Sequence, residues 1–267
     1  MKTLRPVFFV MALLLLVGLA CSAVGGGANP TQPPPPTQPV QVLPTEVPPQ
    51  PTMVPPTEAL PTDAPVEAPT EAPASQSQQF FTEEFEQDPG SDWVVDIIGP
   101  GAEAHKDSVK TEFSNSRMRI ELPEDNLYYY YTFLGHSYDN VRIDLRADNR
   151  GVNTNNVSLT CRSSNDGWYE WSVGSGGDWY LYAVTDKFNL ISSGGTNSLK
   201  QGKEVNEYTL ICQDRKISMF VNGQELKLSP VIDNKYGLRE GTVGFNVSSL
   251  NVTPVIVEID WFKISEP

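Results

Sequence analysis

Across residues 157–184, apolar and polar positions alternate with a period of two in three consecutive runs. Val157, Leu159 and Cys161 share one phase while Ser158, Thr160 and Arg162 share the other. Tyr169, Trp171 and Val173 alternate with Trp168, Glu170 and Ser172, and Trp179, Leu181 and Ala183 alternate with Tyr180 and Tyr182. That period belongs to half-buried antiparallel strands, and turn residues at 163–167 and 174–177 fold the three runs back on one another. Strand character recurs on both sides, at 81–85, 93–98, 118–122, 127–133, 140–147, 208–213, 217–221, 241–247 and 255–264. Between these runs lie turn signals such as Asp88-Pro89-Gly90 and Asn222-Gly223. No helix-period segment stands out from residue 80 onward. So many short strands in one domain predict an all-β fold of two packed antiparallel sheets or a barrel.

The first 79 residues break this pattern. Lys2 and Arg5 precede an apolar run from Val7 to Leu19, too short to span a bilayer comfortably, and residues 1–20 read as a secretory leader. Val17-Gly18-Leu19-Ala20-Cys21 is similar to the bacterial lipoprotein signal, which implies cleavage before Cys21 and lipidation of that cysteine. Gly18 departs from the aliphatic residue common there, so plain secretion and an uncleaved anchor helix stand as alternatives. Residues 21–79 are mostly Pro, Thr, Gln, Ala and Glu, including Pro33-Pro34-Pro35-Pro36, and cannot bury enough apolar surface to fold. A disordered acidic stalk is expected, reaching on the order of 100–150 Å where its prolines favour polyproline II. Residues 80–267 then form one domain outside the cytoplasm, held to the outer side of a bacterial membrane through the lipid on Cys21.

Charge narrows the partners. The formal net charge is −14, more negative once Lys2 and Arg5 leave with the leader, and it repels nucleic acid and anionic headgroups. Of the three cysteines, Cys161 and Cys212 alternate in phase with apolar neighbours and are expected to pair inside the domain, with buried free thiols as the alternative. No cofactor is expected. Calcium is an alternative at Asp139-Asn140, Asp148-Asn149 and Asn165-Asp166, where turns use the same residues for their own backbone.

A set of motifs in fixed order carries a family resemblance. Phe81-x-x-x-Phe85 with Trp93, the Cys161-Arg162-Ser163 strand, Trp168-Tyr169-Glu170-Trp171, the 220–226 hairpin around Asn222-Gly223, Gly241-x-Val243-Gly244-Phe245 and the closing Ile259-Asp260-Trp261-Phe262-Lys263-Ile264 are together similar to the concanavalin A-like lectin/glucanase jelly roll. Laminin-G-type and 3-keto-disaccharide-hydrolase-like domains of bacterial surface proteins look nearest. The resemblance implies a two-sheet antiparallel jelly-roll sandwich, glycan binding on its concave face and, in some relatives, bound calcium. Function does not follow from this fold by itself.

Catalytic signals are incomplete. Glu258-Ile259-Asp260 matches the first two acids of the E-x-D-x-(x)-E strand motif of retaining glucanases, but Phe262 or Lys263 stands where the last glutamate belongs. A retaining hydrolase needs two carboxyl groups about 5 Å apart, so this pair is expected to anchor the closing strand. His105 and His136 lie without a serine or cysteine at a nucleophile turn. Binding has the stronger case. Taking the phase opposite the buried one on each strand collects Tyr128, Tyr130, Arg142, Asp144, Arg146, Arg162, Trp168, Glu170, Tyr180 and Tyr182 on one surface, if those strands share a sheet. Flat rings beside bidentate donors and acceptors suit a sugar, while an ion-pair ladder among Arg142, Asp144 and Glu170 is the plainer reading of the charges. A monomeric, non-catalytic carbohydrate-binding lipoprotein is expected, with a glycoside hydrolase and a protein-binding adhesive module as alternatives.

Overall fold

The computed structural model describes residues 78–267 other than Asn153. The leader, Cys21 and nearly all of the expected stalk lie outside the described residues. Sixteen strands follow one another: β1 (Phe81–Glu83), β2 (Trp93–Ile98), β3 (Lys110–Phe113), β4 (Met118–Leu122), β5 (Tyr128–Tyr138), β6 (Val141–Asn149), β7 (Asn155–Ser164) and β8 (Gly167–Gly174). Then come β9 (Asp178–Val184), β10 (Phe188–Gly195), β11 (Val205–Gln213), β12 (Lys216–Val221), β13 (Gln224–Glu225), β14 (Val231–Ile232), β15 (Gly241–Ser249) and β16 (Val255–Ser265). One four-residue helix, α1 (Ala102–His105), breaks the all-β run between β2 and β3.

The strands pair into two antiparallel sheets. The front sheet runs β10-β9-β8-β7-β15-β5-β2, and the back sheet runs β13-β12-β11-β6-β16-β4-β3, with β1 added on β16 and β14 on β12. Sequence neighbours β5 and β6 lie in opposite sheets, as do β6 and β7. Each sheet turns one phase inward. Tyr129, Tyr131, Leu159, Trp171, Leu181 and Phe245 from the front meet Ile120, Ile143, Leu145, Leu210, Met219 and Phe262 from the back, all buried in one apolar cluster. Aromatic contacts join the sheets directly: the Phe262 ring lies 5.4 Å from Trp93 and 5.7 Å from Phe245. Cys161 on β7 and Cys212 on β11 form the expected disulfide, a covalent tie between the sheets in the fully buried core.

A second tie closes one end. Asp233, 4% exposed, follows β14 and receives a 2.6 Å hydrogen bond from the Tyr169 hydroxyl of β8. The backbone N–H groups of Lys235, Tyr236 and Gly237 also donate to its carboxylate. Burial raises the Asp233 pKa, but the Tyr169 and backbone donors outweigh it and hold the carboxyl down at about 2, below the ordinary 3.8. A carboxylate whose pKa is depressed on folding contributes stability above the unfolded value and loses it as pH falls toward the folded one. The window is therefore pH 4 down to about 2, and the contribution is about 2 kcal/mol. The stability gap between the native chain and Asp233→Asn, measured by urea unfolding, is expected to narrow by about that amount between pH 6 and pH 2. A gap that does not change with pH would remove the assignment.

Candidate functional site: the outer face of the front sheet

The phase not used by the core gives the front sheet a patterned outer surface. Across the strands, residues Asp96, Tyr130, Asn246, Ser158, Ser172 and Tyr180 are cross-strand partners in one row. The adjacent row is Val94, Thr132, Gly244, Thr160, Glu170, Tyr182 and Leu190. The central polar members of the two rows are nearly inaccessible although they face away from the core: Ser158, Thr160, Glu170, Ser172 and Asn246 are all buried. Around them stand the partly exposed rings of Tyr128, Trp168, Tyr180 and Tyr182 and the exposed Phe188 and Leu190. The result is a polar floor inside an aromatic rim.

Side chains lean across this floor. β5 and β8 are separated by β15 and β7, about 14 Å of flat sheet at roughly 4.8 Å per strand. The Tyr130 hydroxyl nevertheless donates to Glu170 Oε2 at 2.7 Å, and the Tyr130 and Trp168 rings meet edge to face with centroids 5.9 Å apart. The small residues between them, Gly244, Ser158 and Thr160, leave room for that approach. Trp168 Nε1 donates to the same Glu170 oxygen at 3.2 Å. Burial raises the Glu170 pKa, opposed by hydrogen bonds from Tyr130, Trp168 and Ser158. Burial likewise pushes the Tyr130 hydroxyl upward, with the nearby Glu170 charge adding to it. Tyr130 is thus a fixed neutral donor. Beside it, Asn246 is 1% exposed and its Nδ2 has no hydrogen-bond partner. An unmet buried donor is costly to keep unless something else uses it.

A hollow of about 260 Å³ opens on this face. It is lined by Asp96, Tyr130, Thr132, Thr160, Trp168 and Thr242 among others. Tyr180 and Tyr182 stack at 6.1 Å beyond it, and Phe188 meets Tyr182 edge to face at 5.6 Å.

Of the ten surface residues expected from phase, six share this face: Tyr128, Tyr130, Trp168, Glu170, Tyr180 and Tyr182. Four do not. Arg142, Asp144 and Arg146 belong to β6 in the back sheet and point outward on its far side. Arg142 makes a two-point contact with Asp144, both at 2.8 Å, and Arg146 reaches Asp260 and Glu207. Phase tells which side of its own sheet a residue takes, not which sheet the strand joins. Arg162 fails for a different reason: its φ is +56° within an irregularity of register between Cys161 and Ser164, which breaks the alternation. Its guanidinium is 1% exposed and donates to the carbonyls of Asp139 and Leu238. Arg162 is a packing residue.

Asp96, Ser158, Thr160, Asn246, Phe188 and Leu190 escaped the sequence reading. The signal was present for Ser158, Thr160 and Asn246, which lie in the regular stretches of their strands, but small polar residues opposite the core phase also occur on any solvated face. The Glu258–Asp260 pair lies on β16 of the back sheet, where Arg117 contacts both acids, Arg119 and Arg150 contact Glu258, and Arg146 contacts Asp260. These acids hold strand ends together. Among the described residues no group of three or more His, Cys, Asp or Glu side chains is arranged to hold a metal ion.

No family model matches the sequence, and no curated protein matches it. Solved structures do resemble it in three dimensions. A protein of unknown function with a galectin-like fold from Bacillus subtilis superposes with a TM-score of 0.56 at 11% identity, covering 70% of this chain and 94% of that one. A prokaryotic β-1,3-1,4-glucanase (lichenase) derived from a mouse hindgut metagenome gives 0.54 at 13% identity, covering 71% and 100%. The Bacillus licheniformis β-glucanase gives 0.53 at 15% identity, covering 72% and 100%. At these identities the likeness concerns the fold alone: the described part of the chain has a concanavalin A-like jelly-roll fold.

Proposed function

We propose that the protein is an exported lipoprotein, anchored at the outside of a bacterial cell through Cys21, whose domain binds carbohydrate without cleaving it on the outer face of the front sheet. The observation that carries this reading is the buried polar floor of Ser158, Thr160, Glu170, Ser172 and Asn246 beneath a rim of tyrosine and tryptophan rings. Rings stack on the C–H faces of a pyranose, while fixed donors and acceptors below them match its hydroxyls. Fold alone fits either a glycan binder or a glycoside hydrolase, as the glucanases show.

The arrangement of acids favours binding. The outward carboxylates of the front strands are Asp96, Glu170 and Asp178. Asp96 lies four strands from Glu170, about 19 Å across flat sheet, and Asp178 pairs with the strand position four residues beyond Glu170, about 13 Å along it. Glu170 leans the other way, toward Trp168 and Tyr130. Glycoside hydrolysis needs two carboxyl groups about 5 to 9.5 Å apart across the bond. Screening the full chain on a glycan panel tests the reading: retention of at least one oligosaccharide class with no release of shorter sugars is expected. Sugar release would establish the hydrolase instead, and retention of proteins but no glycan would establish an adhesive module.

A further inference from the structure

The charges around the hollow bear on which glycans it takes. The seven front strands hold no lysine and one arginine, Arg162, which is buried on backbone carbonyls, while their outward residues include three carboxylates. Glu170, 4% exposed, receives its hydrogen bonds from the neutral donors Tyr130 and Trp168, and among the described residues no cation pairs with it. A buried carboxylate without a counter-ion is costly to hold. The carboxylate that lines the hollow itself is Asp96, which is exposed.

We infer that this hollow selects glycans bearing free amines, of the glucosamine type, over their N-acetylated and acidic counterparts. A protonated amine between Trp168 and Tyr130 meets two aromatic rings, the Thr132, Thr160 and Thr242 hydroxyls as acceptors for its protons, and the negative charge of Asp96. An acidic sugar in the same place meets that carboxylate with no cation to receive it. N-acetylation removes the charge and adds bulk.

This inference rests on the glycan reading, and one experiment separates the two. The full chain is titrated calorimetrically at pH 6 with glucosamine oligomers, N-acetylglucosamine oligomers of equal length, a neutral β-glucan oligomer and an oligogalacturonate. Tighter binding of the glucosamine oligomer by about tenfold is expected, with no binding of the oligogalacturonate. That preference is expected to fall to about twofold or less in Asp96→Asn. The variant keeps the fold within reach because Asp96 is exposed. Equal or weaker binding of the amine form, with neutral oligomers still bound and still lost in Trp168→Ala, overturns the amine preference and leaves the glycan reading standing. An amine preference that survives in Trp168→Ala and in Asp96→Asn assigns it to the net charge of the chain and overturns the inference. Failure of every oligomer removes both readings.

Discussion

Replacing Cys161 and Cys212 by alanine is expected to lower the stability of the domain by about 4 kcal/mol. The two residues are 51 positions apart in sequence, and closing a loop of that length removes a large part of the unfolded chain's freedom. The bridge also joins strands of opposite sheets that otherwise meet through apolar packing, so its loss leaves the sandwich held by the core and by the Tyr169–Asp233 contact at one end. For a domain of this size the change corresponds to a fall of about 10 °C in the midpoint of thermal unfolding. Because both cysteines are wholly buried, a thiol reductant added to the native protein is expected to act only as fast as the domain opens. Midpoints of the alanine pair within a degree or two of the native chain would contradict this account of the bridge.

Trp168→Ala is expected to weaken glycan binding about thirtyfold, equivalent to about 2 kcal/mol. The indole is half-buried, stands edge to face with Tyr130 and lines the hollow, so its removal takes away a stacking surface without emptying the core. The change also deletes one of the donors to Glu170. A modest drop in thermal stability of a few degrees should accompany the loss of binding. The control is Tyr208, equally aromatic but buried inside against Trp171: Tyr208→Ala is a core change that should cost stability rather than ligand affinity in whatever protein remains folded. Unaltered affinity in a folded Trp168→Ala protein would sink the placement of the site.

Much of the scaffold could be read from alternation. The triplet β7 to β9, up to Cys161 and again from Trp168, and the opening of β5 alternate regularly, so their inward residues, from Val157 to Ala183 and from Tyr129 to Phe133, were all assignable to the core. The same phase identified Cys161 and Cys212 as inward neighbours, and the disulfide followed. Two kinds of information lay outside that pattern. Sheet membership depends on long-range pairing, so β6 carried Arg142, Asp144 and Arg146 to the far side of the molecule while looking locally identical to its neighbours. Local irregularities reset the phase, as the left-handed Arg162 shows, and β10 hid its Phe188 and Leu190 behind a register shift and a Ser-Ser-Gly-Gly end. β3, four residues of Lys-Thr-Glu-Phe, is too short and polar for alternation to detect.

The six residues that did converge are those whose strands share one sheet and stay in phase. Their neighbours on the floor, Ser158, Thr160 and Asn246, become visible as site residues only through burial, because a serine or asparagine on an outward phase has no distinguishing pattern of its own. A polar residue hidden outside the core is an informative observation, and here several lie side by side.

The most direct measurement is a map of backbone amide shifts during titration with an oligosaccharide that the protein retains. Perturbations are expected around Tyr130, Thr160, Trp168, Glu170, Tyr182 and Asn246, on strands β5, β7, β8, β9 and β15. Perturbations clustered instead around Arg117, Arg146 and Glu258 on the back sheet, with the front face silent, would contradict the account.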